Sequence, residues 1–251
     1  MKILGLDFET QCLDTENTNI TEVGAIEFAG SDFSFHQKRF TRLCYLPEYP
    51  PQSEEAVSLT GITDEMLIKN GLPPHYVLEE LILMIDTVDY IMAYNAKFDK
   101  AVLQAACKRY GLKFPATPWL CAMTDVPYSE KFTCAKLSHR AYDHGILVHP
   151  DTLHQAIDDV DLMGRLVSKY KFSDILAYAA IPWVYMLADV PKPWLDGGVG
   201  KAKAKACGFT WQTAKGDDKE FPSKWVKRVK EDRVDFEFKK AEKIALIIMK
   251  A

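Results

Sequence analysis

The sequence predicts an α/β fold, a five-stranded mixed sheet flanked by helices, followed by a small α+β appendage. Apolar runs typical of buried strands occur at 2–8, 22–29, 33–43, 89–94 and 119–123. Helical patterns separate the third, fourth and fifth of these runs. A strand reached through a helical crossover joins a sheet in parallel, whereas the first three runs predict a meander. A change in residue composition after Phe172, to a stretch with tryptophans, prolines and then glycines, predicts the appendage.

The helical patterns lie between and after the strands. The segment 53–67 has short helical character that is broken at Gly61. Longer helices are predicted at 76–86, 97–110, 133–142 and 154–170.

A tryptophan- and proline-bearing stretch after Phe172 leads to three closely spaced glycines and marks the domain boundary. We expect a main domain at 1–172, a connecting segment at 173–200 and a small basic module at 201–251. Within the module, the sequence predicts a strand at 224–230 and a final amphipathic helix at 236–249.

Charge is distributed unevenly along the 251 residues, although the net charge is only −4. Residues 1–191 carry 16 Lys and Arg against 26 Asp and Glu, while residues 192–251 carry 15 against 9. An acidic body with a basic tail fits a metal-binding catalytic domain joined to a segment that attracts polyanions. A solvated lysine-rich surface explains the tail equally well.

Several features indicate a cytoplasmic protein without a membrane span. The six cysteines are irregularly spaced and contain no C-x-x-C pair, so we expect reduced thiols and no zinc knuckle. The apolar run of MKILGLDFET is too short for a signal peptide. No stretch approaches the roughly 18 apolar residues of a membrane helix.

Asp7 and Glu9 end the first predicted strand, and their i, i+2 spacing places both carboxylates on one face. Two such acids repel each other, and a cation between them removes that cost. Carboxylate oxygens suit Mg²⁺ or Mn²⁺. Taken alone, however, this pair is more often a strand that runs into a solvated acidic turn.

Two further acids are candidate ligands. Asp99 stands in the first turn of a predicted helix, where the helix dipole also favours an acid. The helix after 154 offers three aspartates. At about 100° per residue, Asp159 lies roughly 30° from the centre of the apolar face, whereas Asp158 and Asp161 lie about 130° and 170° away. Asp159 is therefore the candidate ligand, and the other two should be solvated.

His154 precedes Asp159 by five residues and, when neutral, is able to accept a proton from an attacking water. A lone histidine is more often structural. The five-residue rhythm of His139, His144, His149 and His154 gathers no common helical face, so we do not predict zinc binding.

These residues resemble the three motifs of the DEDDh exonucleases, the superfamily of proofreading subunits, RNase T and oligoribonucleases. The motifs are DFET at 7–10, YNAKFD at 94–99 and HQAIDD at 154–159. LTGITDEML at 59–67 resembles the H-G-I-T segment of the family, with Thr60 in place of histidine. The sequence also departs from the family pattern at Tyr94, where many members have histidine, and at QCL (11–13), where many have T-G-L.

The resemblance covers about residues 1–170 and implies an RNase H-like fold that binds two Mg²⁺ or Mn²⁺ ions. It implies Asp7, Glu9, Asp99 and Asp159 as metal ligands and His154 as general base. It also implies that Thr10 and Asn95 contact the terminal nucleotide, although for Asn95 a helix cap is the safer interpretation.

In the basic module, cations alternate with aromatic residues, a mixture that suits contact with single-stranded nucleic acid. The candidates are Lys201, Lys203, Lys205 and Trp211. Tryptophans of a small module are also frequent core residues, and alternate lysines also decorate edge strands.

The expected function is a metal-dependent 3′→5′ exonuclease that acts on single-stranded or frayed 3′ ends, DNA rather than RNA. The alternatives are an RNA-trimming exoribonuclease of the same fold and a non-catalytic nucleic-acid-binding or interaction subunit.

Overall fold

The computed structural model describes residues 1–30, 35–129, 131–132, 134–148, 155–190, 197–212, 224–243 and 247–250. The chain divides into two units, Met1–Ala179 and Ala180–Ala251, each with a sheet of its own. No helix in these ranges is long and apolar enough to cross a bilayer.

Five strands form the sheet of the first unit, in the order β3-β2-β1-β4-β5. They are β1 (Lys2–Thr10), β2 (Ile20–Ala29), β3 (Phe35–Leu43), β4 (Tyr90–Ala93) and β5 (Trp119–Cys121). β2 pairs antiparallel with both β1 and β3, whereas β4 pairs in parallel with β1 and β5. The predicted mixed five-stranded sheet is confirmed, and β1 is its central strand.

The helices of the first unit are α1 (Glu54–Thr60), α2 (Asp64–Asn70), α3 (Pro74–Ile85), α4 (Ala96–Tyr110), α5 (Leu137–Asp143), α6 (Ala156–Val167) and α7 (Phe172–Ala179). The side chains of Ser53 and Thr63 accept hydrogen bonds from backbone N–H groups in the first turns of α1 and α2. Gly61 ends α1 in the left-handed conformation, with φ of 71°. This confirms the predicted break at Gly61.

The sheet separates two apolar cores. Leu4, Leu6 and Phe8 of β1 pack in one core with the buried faces of α3 and α4. On the opposite face, Ile3 and Phe28 pack with buried residues of α6. Because side chains alternate along a strand, the odd-numbered residues of β1 lie on the face that α6 covers.

The second unit has a four-stranded sheet in the order β7-β8-β6-β9. Its elements are β6 (Trp183–Asp189), α8 (Val199–Ala206), β7 (Thr210–Gln212), β8 (Lys224–Lys230), a 3₁₀ turn (Glu231–Arg233), α9 (Val234–Glu242) and β9 (Ile247–Lys250). Its core includes Met186, Phe209 and Trp225. An ion pair of 2.6 Å joins the largely buried side chains of Lys227 and Glu237.

The structure differs from the sequence-based expectation in two segments. The expected connecting segment 173–200 contains most of α7 and all of β6, an inner strand of the second sheet whose Met186 is fully buried. The helix expected at 236–249 ends at Glu242, and β9 begins at Ile247 within the range expected to be helical. Ile247 and Ile248 are β-branched, and β9 pairs with β6, so sheet pairing overrides the helical pattern there.

Candidate active site

Two acidic side chains stand near the carboxyl end of β1. Asp7 and Glu9 alternate with Leu6 and Phe8, which belong to the core under α3 and α4. Both acids therefore lie on the face that α6 covers, as the i, i+2 spacing predicts. Each is partly buried at the edge of the apolar core.

The helix α6 brings Asp159 to this pair. One carboxylate oxygen from each of Asp7, Glu9 and Asp159 lies within 4.8 Å of the other two. The structure thus brings together three of the four predicted ligands in a group that has the chemistry of a divalent metal site.

Glycines allow α6 to lie close enough to the sheet for this to happen. A Cβ atom at Gly24, which pairs with Asp7 across the hairpin, would lie 2.5 Å from the backbone nitrogen of Ile157 and would also meet the carbonyl of Ala156. Real Cβ contacts essentially never fall under 3.0 Å. Gly5 likewise admits Val160 against β1, where a Cβ would lie 2.7 Å away.

Asp99, the fourth predicted ligand, lies in the first turn of α4 and is only 2% exposed. Its Oδ1 accepts a hydrogen bond of 3.2 Å from the backbone N–H of Phe8. The acid on α4 is therefore tied to β1 between Asp7 and Glu9. The group of oxygens within 4.8 Å does not include Asp99, which lies beside it.

Burial and mutual repulsion shift the pKa of these acids upward. The pKa of Asp7 is raised well above its usual range by burial and by the charges of Asp99, Glu9 and Asp159. Burial, with the charges of Asp159, Glu22 and Asp99, raises the pKa of Glu9 to about 8. Burial raises the pKa of Asp99 to about 7, against the opposing effect of the Phe8 hydrogen bond.

This electrostatic arrangement fits a hard divalent cation. In its absence, the crowded carboxylates are stabilised by retaining protons, whereas a bound cation stabilises the ionised forms. Since all the donors are carboxylate oxygens, Mg²⁺ and Mn²⁺ fit better than the softer metals that favour Cys or His.

Glu22 is a fifth acid at the site, and our sequence reasoning missed it. It pairs with Glu9 in the β1–β2 register and raises the pKa of both Asp7 and Glu9. Its Oε2 accepts a hydrogen bond of 3.0 Å from the backbone N–H of Ala156, the first residue of α6. The register of the β1–β2 hairpin was the signal that could have identified it, because directly paired residues share a face.

Comparison with known proteins decides the family. The model of the exonuclease family typified by RNase T matches residues 4–166, which include most of β1 and most of α6. The chain belongs to this exonuclease family. It therefore lies within the DEDDh 3′→5′ exonuclease superfamily, whose members use divalent metal ions.

A curated relative of this exonuclease is the DNA polymerase III PolC-type of Thermotoga maritima, which is 29% identical over 174 residues. The match covers 66% of this chain but only 11% of the length of that protein.

Solved structures show the same fold at lower identity. E. coli Exonuclease I in complex with a dA16 oligonucleotide has a TM-score of 0.64 at 15% identity, over 98% of this chain and 68% of that one. The nuclease domain of 3′hExo, a DEDDh family member bound to rAMP, has a TM-score of 0.56 at 17% identity, over 67% of this chain and 90% of that one.

Thr10 and Asn95, the residues expected at the terminal nucleotide of this DEDDh exonuclease, lie at the end of β1 and just before α4. The hydroxyl of Thr10 donates a hydrogen bond of 2.9 Å to the carbonyl of Cys12. Asn95 occupies the N-cap position of α4 but makes no side-chain capping bond, and it is exposed. The capping role expected for Asn95 is therefore wrong.

Two of the three departures from the family motifs, Tyr94 and Thr60, have local structural roles. The hydroxyl of Tyr94 donates a hydrogen bond of 2.6 Å to the carbonyl of Ala135, just before α5. Burial raises the pKa of Tyr94 to about 12. The hydroxyl of Thr60 donates to the carbonyl of Ala56 and accepts from the N–H of Ile62. Both side chains thus tie neighbouring backbone together.

His154, the expected general base, lies outside the described residues, which resume at Gln155. The expectation that Asp158 and Asp161 are solvated is met only in part, since both are partly exposed. Asp158 is partly buried, and Asp161 is about one quarter exposed because its carboxylate lies 3.4 Å from the guanidinium of Arg39 on β3. The helical periodicity of the sequence could not predict this contact, because it depends on the packing of β3 beside α6.

In the second unit, the predicted contact residues do not share one surface. Lys201, Lys203 and Lys205 lie on α8, not on an edge strand. At 100° per residue, Lys201 and Lys205 are neighbours, whereas Lys203 projects from another side and is partly buried. Trp211 on β7 is 51% exposed and meets the ring of Trp225 edge-on at 5.8 Å.

The raised acid pKa values predict the pH dependence of stability. Glu9 and Asp99 hold protons in the folded protein up to about pH 8 and 7, whereas unfolded carboxyls release them near pH 4. The folded state thus binds more protons, so the free energy of unfolding without metal should fall as the pH rises from about 5 to about 8. Denaturant titrations in EDTA at several pH values measure this slope.

Added Mn²⁺ should restore stability at about pH 8, because the cation binds the ionised carboxylates of the folded state. Glu9→Gln is the control and should flatten the slope in EDTA, since one titrating group is gone. Metal-free stability that rises steadily across this pH range would contradict the prediction.

Proposed function

We propose that the chain is a 3′→5′ exonuclease that hydrolyses phosphodiester bonds at single-stranded or frayed 3′ ends, favours DNA over RNA and releases 5′-mononucleotides. The observation that carries the proposal is the convergence of carboxylate oxygens from Asp7, Glu9 and Asp159 within 4.8 Å. Membership of the exonuclease family supports it.

In this proposal, Asp7, Glu9, Asp99 and Asp159 hold two Mg²⁺ or Mn²⁺ ions. The bound ions supply an activated water and stabilise the leaving 3′ oxygen. The residues contribute position: strand alternation fixes Asp7 and Glu9, and the hydrogen bond from Phe8 fixes Asp99. A carboxylate held in this way loses little conformational freedom when it binds an ion.

His154 is the proposed general base. It precedes the start of α6 by two residues, and a neutral imidazole accepts a proton near neutral pH. Thr10 and Asn95 are the proposed contacts to the terminal nucleotide. The exposed amide of Asn95 makes no capping hydrogen bond, so substrate contact, the other role considered for it, is the one we propose.

The preference for DNA rests on the proteins that the chain resembles. The PolC-type relative is named as a DNA polymerase, and Exonuclease I was solved with a deoxyribonucleotide oligomer. The similarity of 3′hExo, solved with rAMP, favours RNA trimming as the second candidate. The free thiols of the six cysteines fit the cytoplasm, where we place the enzyme.

The second unit is proposed as a basic module that contacts the same strand. Support comes from the exposed lysines at 201 and 205 and from the half-exposed ring of Trp211. The likeness to Exonuclease I also covers 98% of this chain, well beyond the nuclease unit. Lysines and an accessible indole are the groups that bind phosphates and stack on bases.

The test is degradation of matched single- and double-stranded DNA and RNA, labelled at the 5′ end, with Mg²⁺, Mn²⁺ or EDTA. We expect stepwise shortening from the 3′ end with metal only, fastest on single-stranded DNA. Faster shortening of RNA would replace the DNA proposal with RNA trimming. Binding of single strands without any product would instead indicate a non-catalytic subunit.

Asp159→Asn should abolish most turnover. Asp158→Asn, at the neighbouring residue of the same helix, is the control. Loss of a metal ligand removes several kcal/mol of charge stabilisation, which corresponds to a rate loss of about 10³-fold or more. Asp158 is not in the converging group, so its amide variant should stay within about threefold of wild type. Initial rates on single-stranded DNA in Mg²⁺ distinguish them.

Both variants should still bind single-stranded DNA, which fluorescence anisotropy in EDTA measures. Wild-type turnover by Asp159→Asn would remove this residue from the proposed metal site.

The double variant Lys201→Gln, Lys205→Gln should weaken the salt dependence of single-strand binding. Each lost phosphate contact lowers the slope of log K against log salt by about 0.7. Lys203→Gln is the comparison, because α8 directs this lysine away from the other two. Anisotropy titrations in EDTA from low to moderate salt give the slopes. Equal slopes for wild type and the double variant would exclude phosphate contact by this face of α8.

A further inference from the structure

Both carboxylate oxygens of Glu22 are held by hydrogen bonds from two other elements. Oε2 accepts from the backbone N–H of Ala156 at 3.0 Å, and Oε1 accepts from the hydroxyl of Thr41 at 3.2 Å. Glu22 lies on β2, Thr41 on β3, and Ala156 begins α6. One side chain thus connects two strands to the start of the helix that carries Asp159.

The start of α6 needs this partner. The first N–H groups of a helix have no acceptor within the helix, and the N-cap residue Gln155 makes no side-chain capping bond. Glu22 supplies the missing acceptor from a strand, and its negative charge is favourable at the positive end of the helix dipole. The nearby Gly24 leaves space for the same turn of α6. The strand β2 therefore provides both the space for the helix, at Gly24, and a hydrogen-bond acceptor for it, at Glu22.

We propose that Glu22 is a positioning residue: it holds the first turn of α6 against β2 and thereby sets the separation between Asp159 and the pair Asp7 and Glu9. This inference rests on the proposed function of that site. The tether has a direct geometric consequence, because Asp159 lies three residues after Ala156, on the same first turn. A shift of the helix start moves its carboxylate relative to β1.

The contacts distinguish this role from that of a fifth metal ligand. Among the described residues, the oxygens that converge within 4.8 Å belong to Asp7, Glu9 and Asp159 and not to Glu22. The carboxylate of Glu22 is instead directed by its two donors toward α6 and β3. Its repulsion of Glu9, the paired residue, is the cost of this placement.

Two substitutions of Glu22 distinguish the effect of its hydrogen bonds on the position of α6 from the effect of its charge. In Glu22→Gln, the amide oxygen still accepts from Ala156, and the amide NH₂ is able to donate to Thr41, so the tether remains without the charge. Glu22→Ala removes the tether. Thr41→Val is the matched control, because it removes one donor to Glu22 and leaves the bond to α6.

We expect Glu22→Ala to lower kcat on single-stranded DNA by about 10- to 100-fold and to weaken Mn²⁺ binding by a similar factor, as loss of a group that orients ligands does. KM should change less than threefold. Glu22→Gln and Thr41→Val should stay within about threefold of wild type in kcat and Mn²⁺ affinity. Rates are measured well below the melting temperature of each variant, and Mn²⁺ affinity is measured by calorimetry.

Equal losses in Glu22→Gln and Glu22→Ala would overturn the proposal, because charge or metal ligation would then be the function of Glu22. Wild-type kcat and Mn²⁺ affinity in folded Glu22→Ala would also overturn it. If wild type itself released no nucleotides, the proposed function would fail, while Mn²⁺ calorimetry would still test the position of Asp159.

Discussion

The contact between the first turn of α6 and the strand pair β1–β2 is the constraint on which the site depends. Asp7 and Glu9 belong to a strand, Asp159 belongs to a helix far along the chain, and their oxygens converge only when the helix backbone approaches the sheet closely. Gly24 permits that approach where any Cβ would meet the backbone of α6. The apolar face of α6, packed on Ile3 and Phe28, stabilises it.

The same contact concentrates negative charge in a partly buried place. Burial and repulsion raise the pKa of Asp7, Glu9 and Asp99, which means that the metal-free site is unfavourable for the ionised acids. The packing of the two apolar cores must outweigh this cost, since an isolated group of such acids would separate. The clustered acids thus lower the stability of the metal-free fold and favour the binding of a cation. Such local destabilisation is common at functional sites.

Sequence reasoning succeeded where one element determines the geometry. Strand alternation places Asp7 and Glu9 on one face, and the helical period selects Asp159 from three aspartates. It failed where geometry depends on pairing between elements. The place of Glu22 at the site follows only from the register of β1 and β2. The partial burial of Asp161 follows only from its contact with Arg39 on the neighbouring β3. Asp99 depended on the family resemblance, because its approach to Phe8 requires the crossover from β1 to β4.

In the second unit, too, sequence reasoning failed where pairing between strands determines the structure. Its sequence has helical periodicity after Phe236, yet Ile247–Lys250 pairs with β6 as a strand. The family match ends at residue 166, before this unit begins, whereas the likeness to Exonuclease I covers nearly the whole chain. The family match thus accounts for the first unit, whereas for the second unit the likeness to Exonuclease I shows a shared fold.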